Sequence, residues 1–247
     1  MPVRSSGQVP RHLGRALGSL AVAAVALTVL APSTARPDER DAGFNGAEAQ
    51  QVVALMDANP ALARVYAACP ADVFRQEAAP WEPLIRSRGV PLEICGTRPL
   101  SCLALCTTGS SGGHCFALAR AFQVNQDQIK PRHAQMLFSM ACATGMAGGC
   151  TNRAASIRNM RHEGDPFREA PEERKDLCQY RSFEIACGRR DAWGCAMLGQ
   201  SHHYGEGVRA DAAQARHFYQ ESCRISPAFA ACEFSKSGIK ALGRPAD

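Results

Sequence analysis

What this chain of 247 residues lacks narrows its chemistry first. Twelve cysteines are present, yet there is no C-x-x-C, so neither a zinc knuckle nor a thioredoxin-type pair is supported, and no C-x-x-C-H for covalent haem. Seven histidines are present, yet no H-x-H or H-E-x-x-H, which leaves a zinc hydrolase without its ligand pattern. His202 and His203 are adjacent, and neighbours on a helix point about 100° apart, so they cannot serve one ion from the same face. They read as turn packing, and no metal and no cofactor is expected. Charge of one sign is not abundant either: 28 basic residues stand against 23 acidic, for a net +5. Three of those arginines lie near the start, and losing them takes the charge to +2, so nucleic acid is not an expected partner. Aromatics are only 6% of the chain, with two tryptophans, so any core must be thin.

Long hydrophobic runs are also scarce. The main one is residues 16–31, sixteen residues preceded by Arg4, Arg11 and Arg15 with no acid among them. That is short of the roughly 20 residues a spanning helix needs. Ser33-Thr34-Ala35 then offers small residues at the −3 and −1 positions. Residues 1–35 therefore read as a secretory signal peptide cut after Ala35, leaving no membrane segment in the mature chain and a periplasmic or secreted location. Behind such a leader, an even count of cysteines reads as a disulfide framework rather than metal chemistry.

What is there in quantity is periodicity. Residues 191–223, DAWGCAMLGQSHHYGEGVRADAAQARHFYQESC, read as helix, glycine turn and helix, with the turn at Gly205 and Gly207 and a capping Asp211 paired with Gln214. Ala215, Phe218, Tyr219 and Ser222 then share one helical face. Cysteines that end such second helices recur as Cys106, Cys142, Cys187 and Cys223, at separations of 36, 45 and 36 residues. Cysteines that open the following first helices recur as Cys115, Cys150, Cys195 and Cys232, at 35, 45 and 37. Phe138, Phe183 and Tyr219 hold an aromatic in register four residues before three of the second-helix cysteines. A fixed period near 36 with one insertion predicts an all-α superhelix, a solenoid of helix hairpins of the tetratricopeptide kind.

The residues Leu198-Gly199, Tyr204, Gly205-Glu206-Gly207-Val208, Asp211, Ala215, Phe218-Tyr219 and Cys223 resemble the Sel-one-like repeat. The paired cysteines resemble its cysteine-rich secreted branch, the Hcp type, over residues 101–242. That resemblance implies a disulfide within each repeat: Cys106–Cys115, Cys142–Cys150, Cys187–Cys195 and Cys223–Cys232. Closing a loop of this size stabilises by roughly 2–3 kcal/mol in the chain-entropy model. Cys69, Cys95, Cys102 and Cys178 are left with three possible pairings. Members of this branch bind penicillin and carry the β-lactamase name, so the resemblance also implies a β-lactam-binding or β-lactam-hydrolysing alternative. Ser237-Gly238-Ile239-Lys240 spells S-x-x-K, but no S-D-N or K-T-G completes a site. With many serines and four lysines, one such match arises readily by chance. A second alternative, a redox or haem-handling assembly factor, follows from a mitochondrial cousin of the family. A free thiol at Cys69 or Cys178 would favour it.

Along the chain, residues 36–100 read as a solvated leader (36–45) followed by a divergent N-terminal helical cap, with helices over 46–59 and 61–69. Leu118, Ala119 and Phe122 face inward on the first full hairpin. Residues 161–176, RHEGDPFREAPEERKD, hold the nine-residue insertion and read as an enlarged exposed turn, or else as a partner-binding loop. Residues 233–242 read as a final capping helix, and 243–247 as a tail. The favoured function is an exported scaffold whose concave groove binds a protein, a peptide or a peptidoglycan-related ligand. First helices line such a groove, which makes Arg120, Arg153 and Gln200 the candidate contacts.

Overall fold

The computed structural model describes residues 43–75, 92–108, 112–159 and 162–243. The expected signal peptide and the Trp81 region lie outside them. The sequence sets the helix starts in two ways. Proline at the first turn opens α2 (Pro60–Ala67), α3 (Pro70–Val73) and α6 (Pro131–Ala143). Side-chain caps open three more: the Asn45 side chain accepts the Glu48 N–H at the head of α1 (Gly46–Asp57). Asp191 accepts that of Gly194 for α9 (Ala192–Tyr204), and Asp211 accepts those of Ala213 and Gln214 for α10 (Ala212–Ile225). Gly205 ends α9 at φ 79°, a left-handed cap that glycine adopts without strain. The remaining helices are α4 (Pro99–Thr108), α5 (Gly113–Val124), α7 (Ala147–Asn159), α8 (Glu172–Gly188) and α11 (Ala230–Leu242), with a 3-10 turn at Leu92–Gly96 before α4. No strand occurs among the described residues, and none of their helices is long and apolar enough to cross a membrane.

Each helix from α4 to α11 packs on the next, which makes an all-α stack of hairpins. The first helices α7, α9 and α11 also pack on one another, whereas the second helices α6, α8 and α10 show no comparable mutual packing. Four disulfides join the end of a second helix to the start of the next first helix: Cys106–Cys115, Cys142–Cys150, Cys187–Cys195 and Cys223–Cys232. Their Cα atoms are 4.4–4.6 Å apart. Such close approach demands small neighbours. A Cβ on Gly149 would stand 2.6 Å from that of Ala141, and one on Gly194 would stand 2.6 Å from that of Ala186. Phe138, Phe183 and Tyr219, the aromatics in register, are all buried. Gly199 and Gly238 make the slot for Tyr219, since a Cβ on either would fall within 2.7 Å of its ring.

The N-terminal helices do more than end the stack. α1 packs on α4, but α2 lies against α6, and α3 lies against α6, α7 and α8. Every residue of α6 from His133 to Ala143 is buried as a result. The expected solvated leader also ends early: Phe44 stacks edge-on against Phe122 at 6.2 Å, and the Asn45 N–H donates to the Gly96 carbonyl at 2.9 Å. Cys95 pairs with Cys102 in a local loop, and Cys69 pairs with Cys178 across 109 residues.

The long loop sets a clear expectation. Replacing both Cys69 and Cys178 with serine should cost about 4–5 kcal/mol in the chain-entropy model, against roughly 2–3 kcal/mol for the Cys187–Cys195 staple. Guanidinium unfolding of the two double variants would check the order. Equal losses would show that the 109-residue loop is already closed by other contacts in the unfolded chain.

Candidate functional site on the first-helix face

Aligning the first helices on Cys115, Cys150, Cys195 and Cys232 sorts their side chains into columns. One column, three residues after each cysteine, holds Leu118, Arg153, Leu198 and Ser235, and every member is buried. A second column, five residues after, holds Arg120, Ala155, Gln200 and Ser237, and a third, eight residues after, holds Gln123, Arg158, His203 and Lys240. All eight of these are exposed or half-buried. The exposed side of the first helices is therefore a polar strip two columns wide, with cations at Arg120, Arg158 and Lys240.

Side chains are organised along this strip. Arg158 on α7 bonds the Gln200 amide oxygen on α9 and the Glu206 carboxylate in the glycine turn, the latter at 2.6 Å. Arg158 was not among the sequence candidates, although its column was available from the cysteine register. His203 stacks on Tyr204 at 4.3 Å between ring centres, and Tyr204 is 62% exposed. His202 points elsewhere: it is buried and stacked on Phe218, and burial pushes its imidazole below the ordinary value. At the N-terminal end, Arg120 is exposed, bonds Gln123 at 3.3 Å, and lines an open cleft of about 520 Å³. Phe44, Leu92, Glu93, Ala117 and Val124 are among its other walls.

Arg153 does not belong to this strip, which corrects the sequence reading. Its side chain is 0% exposed and pairs with Asp165, whose own side chain is also 0% exposed. The guanidinium lies 4.4 Å from the Tyr66 ring and donates to the Tyr66 carbonyl at 3.2 Å. Asp165 also accepts from the Tyr66 hydroxyl, His162 and the Phe167 N–H. Burial alone would raise the Asp165 carboxyl, but the His162 and Arg153 bonds, the Arg153 charge and the Phe167 N–H hold it well below the usual carboxylate range. Leu118 and Leu198 at the matching positions were the available sign that this position faces inward. The insertion is corrected with it. Pro166, Arg168 and Glu169 are exposed, but Asp165 and Phe167 are buried, so the loop is a plug held by Arg153 against α2 rather than a free turn.

The serine motifs fall outside any built site. Ser237 is exposed on α11, its hydroxyl donates to the Glu233 carbonyl at 3.2 Å, and none of the clefts described here includes it. Residues 109–113 also spell G-x-S-x-G. That stretch lies between α4 and α5, and its residues 109–111 are outside the described residues. All twelve cysteines are paired, so the free thiol that would favour redox chemistry is not present at Cys69 or Cys178.

No protein-family model matches the sequence, and no curated protein matches it. Among solved structures, the chain is similar to Helicobacter pylori cysteine rich protein B, with 23% identity, 59% of this chain and 97% of that chain covered, and a TM-score of 0.40.

The buried pair gives a test of its own. Arg153→Ala should cost about 3–5 kcal/mol, since it strands a buried carboxylate. Because the folded Asp165 titrates below its unfolded value of about 3.9, its contribution is complete above that pH and is lost as the pH falls further. Asp165→Asn should therefore be less stable at neutral pH and should flatten the stability profile below about pH 4. Denaturant melts from pH 2 to 7 would show it, and an unchanged acid limb would assign the loss to other carboxylates.

Proposed function

We propose that this protein is an exported, disulfide-stapled helical scaffold that binds a protein or peptide segment along its first-helix face. One observation carries the reading: the exposed positions of the four first helices α5, α7, α9 and α11 recur in register. The mutually packed first helices fit the inner side of a curved stack. A segment laid along it would meet Arg120, Arg158, Gln200 and Lys240 in succession, which favours one carrying acidic side chains. The repeat family that the sequence resembles commonly mediates protein interactions, in line with this. Twelve paired cysteines suit an oxidising compartment outside the cytoplasm.

Peptides selected from a random twelve-residue display library on the oxidised mature chain provide the test. Acid-bearing peptides should emerge, and Arg120→Glu with Lys240→Glu should weaken them about tenfold or more by fluorescence anisotropy. Nitrocefin and fluorescent penicillin on the same protein should give neither turnover nor labelling. Turnover abolished by Ser237→Ala would overturn the scaffold reading in favour of an enzyme.

A further inference from the structure

Residues 66–75 of this chain occupy a seat on the opposite side of the stack, between the second helices α6 and α8. Besides Cys178, which bonds Cys69, and Arg189, which lies over Phe74, five residues on α6, α7, α8 and the turn after α6 hold this segment. The Pro70 carbonyl oxygen lies 3.4 Å from the Cys142 sulfur, and a Cβ on Gly145 would stand 3.5 Å from the Arg75 side chain. Arg153 bonds the Tyr66 carbonyl, Arg181 bonds the Asp72 carboxylate at 2.8 Å, and the Ala71 N–H donates to the Ser182 hydroxyl at 3.2 Å.

Advanced by one repeat, at 45 residues for α6 and α7 and 36 for α8, these five become Cys187, Arg190, Leu198, His217 and Phe218. All five line one open cleft of about 530 Å³ between α8 and α10. Even the backbone follows the register: Gly145 has φ 91°, and Arg190 has φ 63°. The stack thus repeats these five positions of the seat, and the described chain fills the first set. The tether explains why it fills only that set, because Cys69 is bonded to Cys178 at the first seat.

We propose that the α8–α10 cleft docks a segment of a partner protein in the way the first seat holds residues 66–75: a short helical turn with an aliphatic side chain beside a carboxylate. The substitutions between the two seats define that chemistry. Leu198 stands where the first seat has Arg153, and Phe218 where it has Ser182, so two polar anchors are replaced by an apolar floor. The volume lies within the roughly 300–1,000 Å³ of ordinary ligand pockets. Around the rim, Glu184 is engaged by Tyr180, and Glu221 is held by Arg224 at 2.6 Å. The Arg190 and His217 side chains make no hydrogen bond among the described residues; after the Arg224 bond, their charges help to lower the Glu221 carboxyl, and their donors are left for an acid of the partner. His217 is the counterpart of Arg181, which holds Asp72 in the first seat.

This inference concerns the face opposite the first-helix strip and does not depend on it. A random twelve-residue display library selected on the full oxidised chain should yield, besides any peptides sensitive to Arg120→Glu, a group with an aliphatic residue next to Asp or Glu. Binding of that group, read by fluorescence anisotropy, should weaken about tenfold or more on Arg190→Glu and on Phe218→Ser, and be unchanged on Arg120→Glu. Exchanging the peptide carboxylate for lysine should restore binding to Arg190→Glu. Mass spectrometry of six intact disulfides and an unchanged melting curve for Arg190→Glu would guard against misfolding. If every selected peptide binds Arg190→Glu and Phe218→Ser as tightly as the parent, or none is selected, the docking assignment is wrong. Peptides sensitive to Arg120→Glu alone would overturn it while leaving the first-helix reading in place.

Discussion

The structure depends on how closely two helices can be brought together at one end. A disulfide that holds Cα atoms 4.4–4.6 Å apart pins the end of one hairpin onto the start of the next. Two of the four staples meet this demand with alanine before the first cysteine and glycine before the second, as in Ala141-Cys142 with Gly149-Cys150. With so few aromatics, the staples supply what a larger core would otherwise provide. They also fix the register, so that Phe138, Phe183 and Tyr219 fall into equivalent buried slots one hairpin after another.

The same register is why the all-helical hairpin stack could be read from the sequence. Cysteine spacing located the hairpins, and glycine and aspartate located the turn and cap between α9 and α10. What could not be read was anything that breaks the period. Arg153 looked like a surface cation because arginine is rarely buried. Only its column, shared with Leu118 and Leu198, says that it faces inward, and only the insertion supplies the carboxylate that makes burial tolerable. Cys69 and Cys178 lie 109 residues apart with no repeat to relate them, so their bond had no local signature.

Those two surprises are parts of one arrangement. The nine-residue insertion, the Arg153–Asp165 pair, Tyr66 and the Cys69–Cys178 bond meet at the place where α2 and α3 lie against the second helices. In a plain repeat the outer side of α6 would be wet. Here the chain folds its own beginning over that side, and the insertion grows inward to seal the join. The N-terminal helices therefore shape the middle of the stack as well as its end.

The six bonds differ in topology. Five join cysteines that are neighbours in the sequence, but Cys69 must pass over six others to reach Cys178. A chain oxidised strictly in order of synthesis would join Cys69 to Cys95, and every later cysteine up to Cys178 would then take a wrong partner. Cys187–Cys195 and Cys223–Cys232 would still form correctly. On that order of oxidation the C-terminal hairpins would reach their final covalent state at once, while the N-terminal half would have to exchange bonds by thiolate attack before it locked. A chain oxidised in that order would need a compartment that both makes disulfides and reshuffles them.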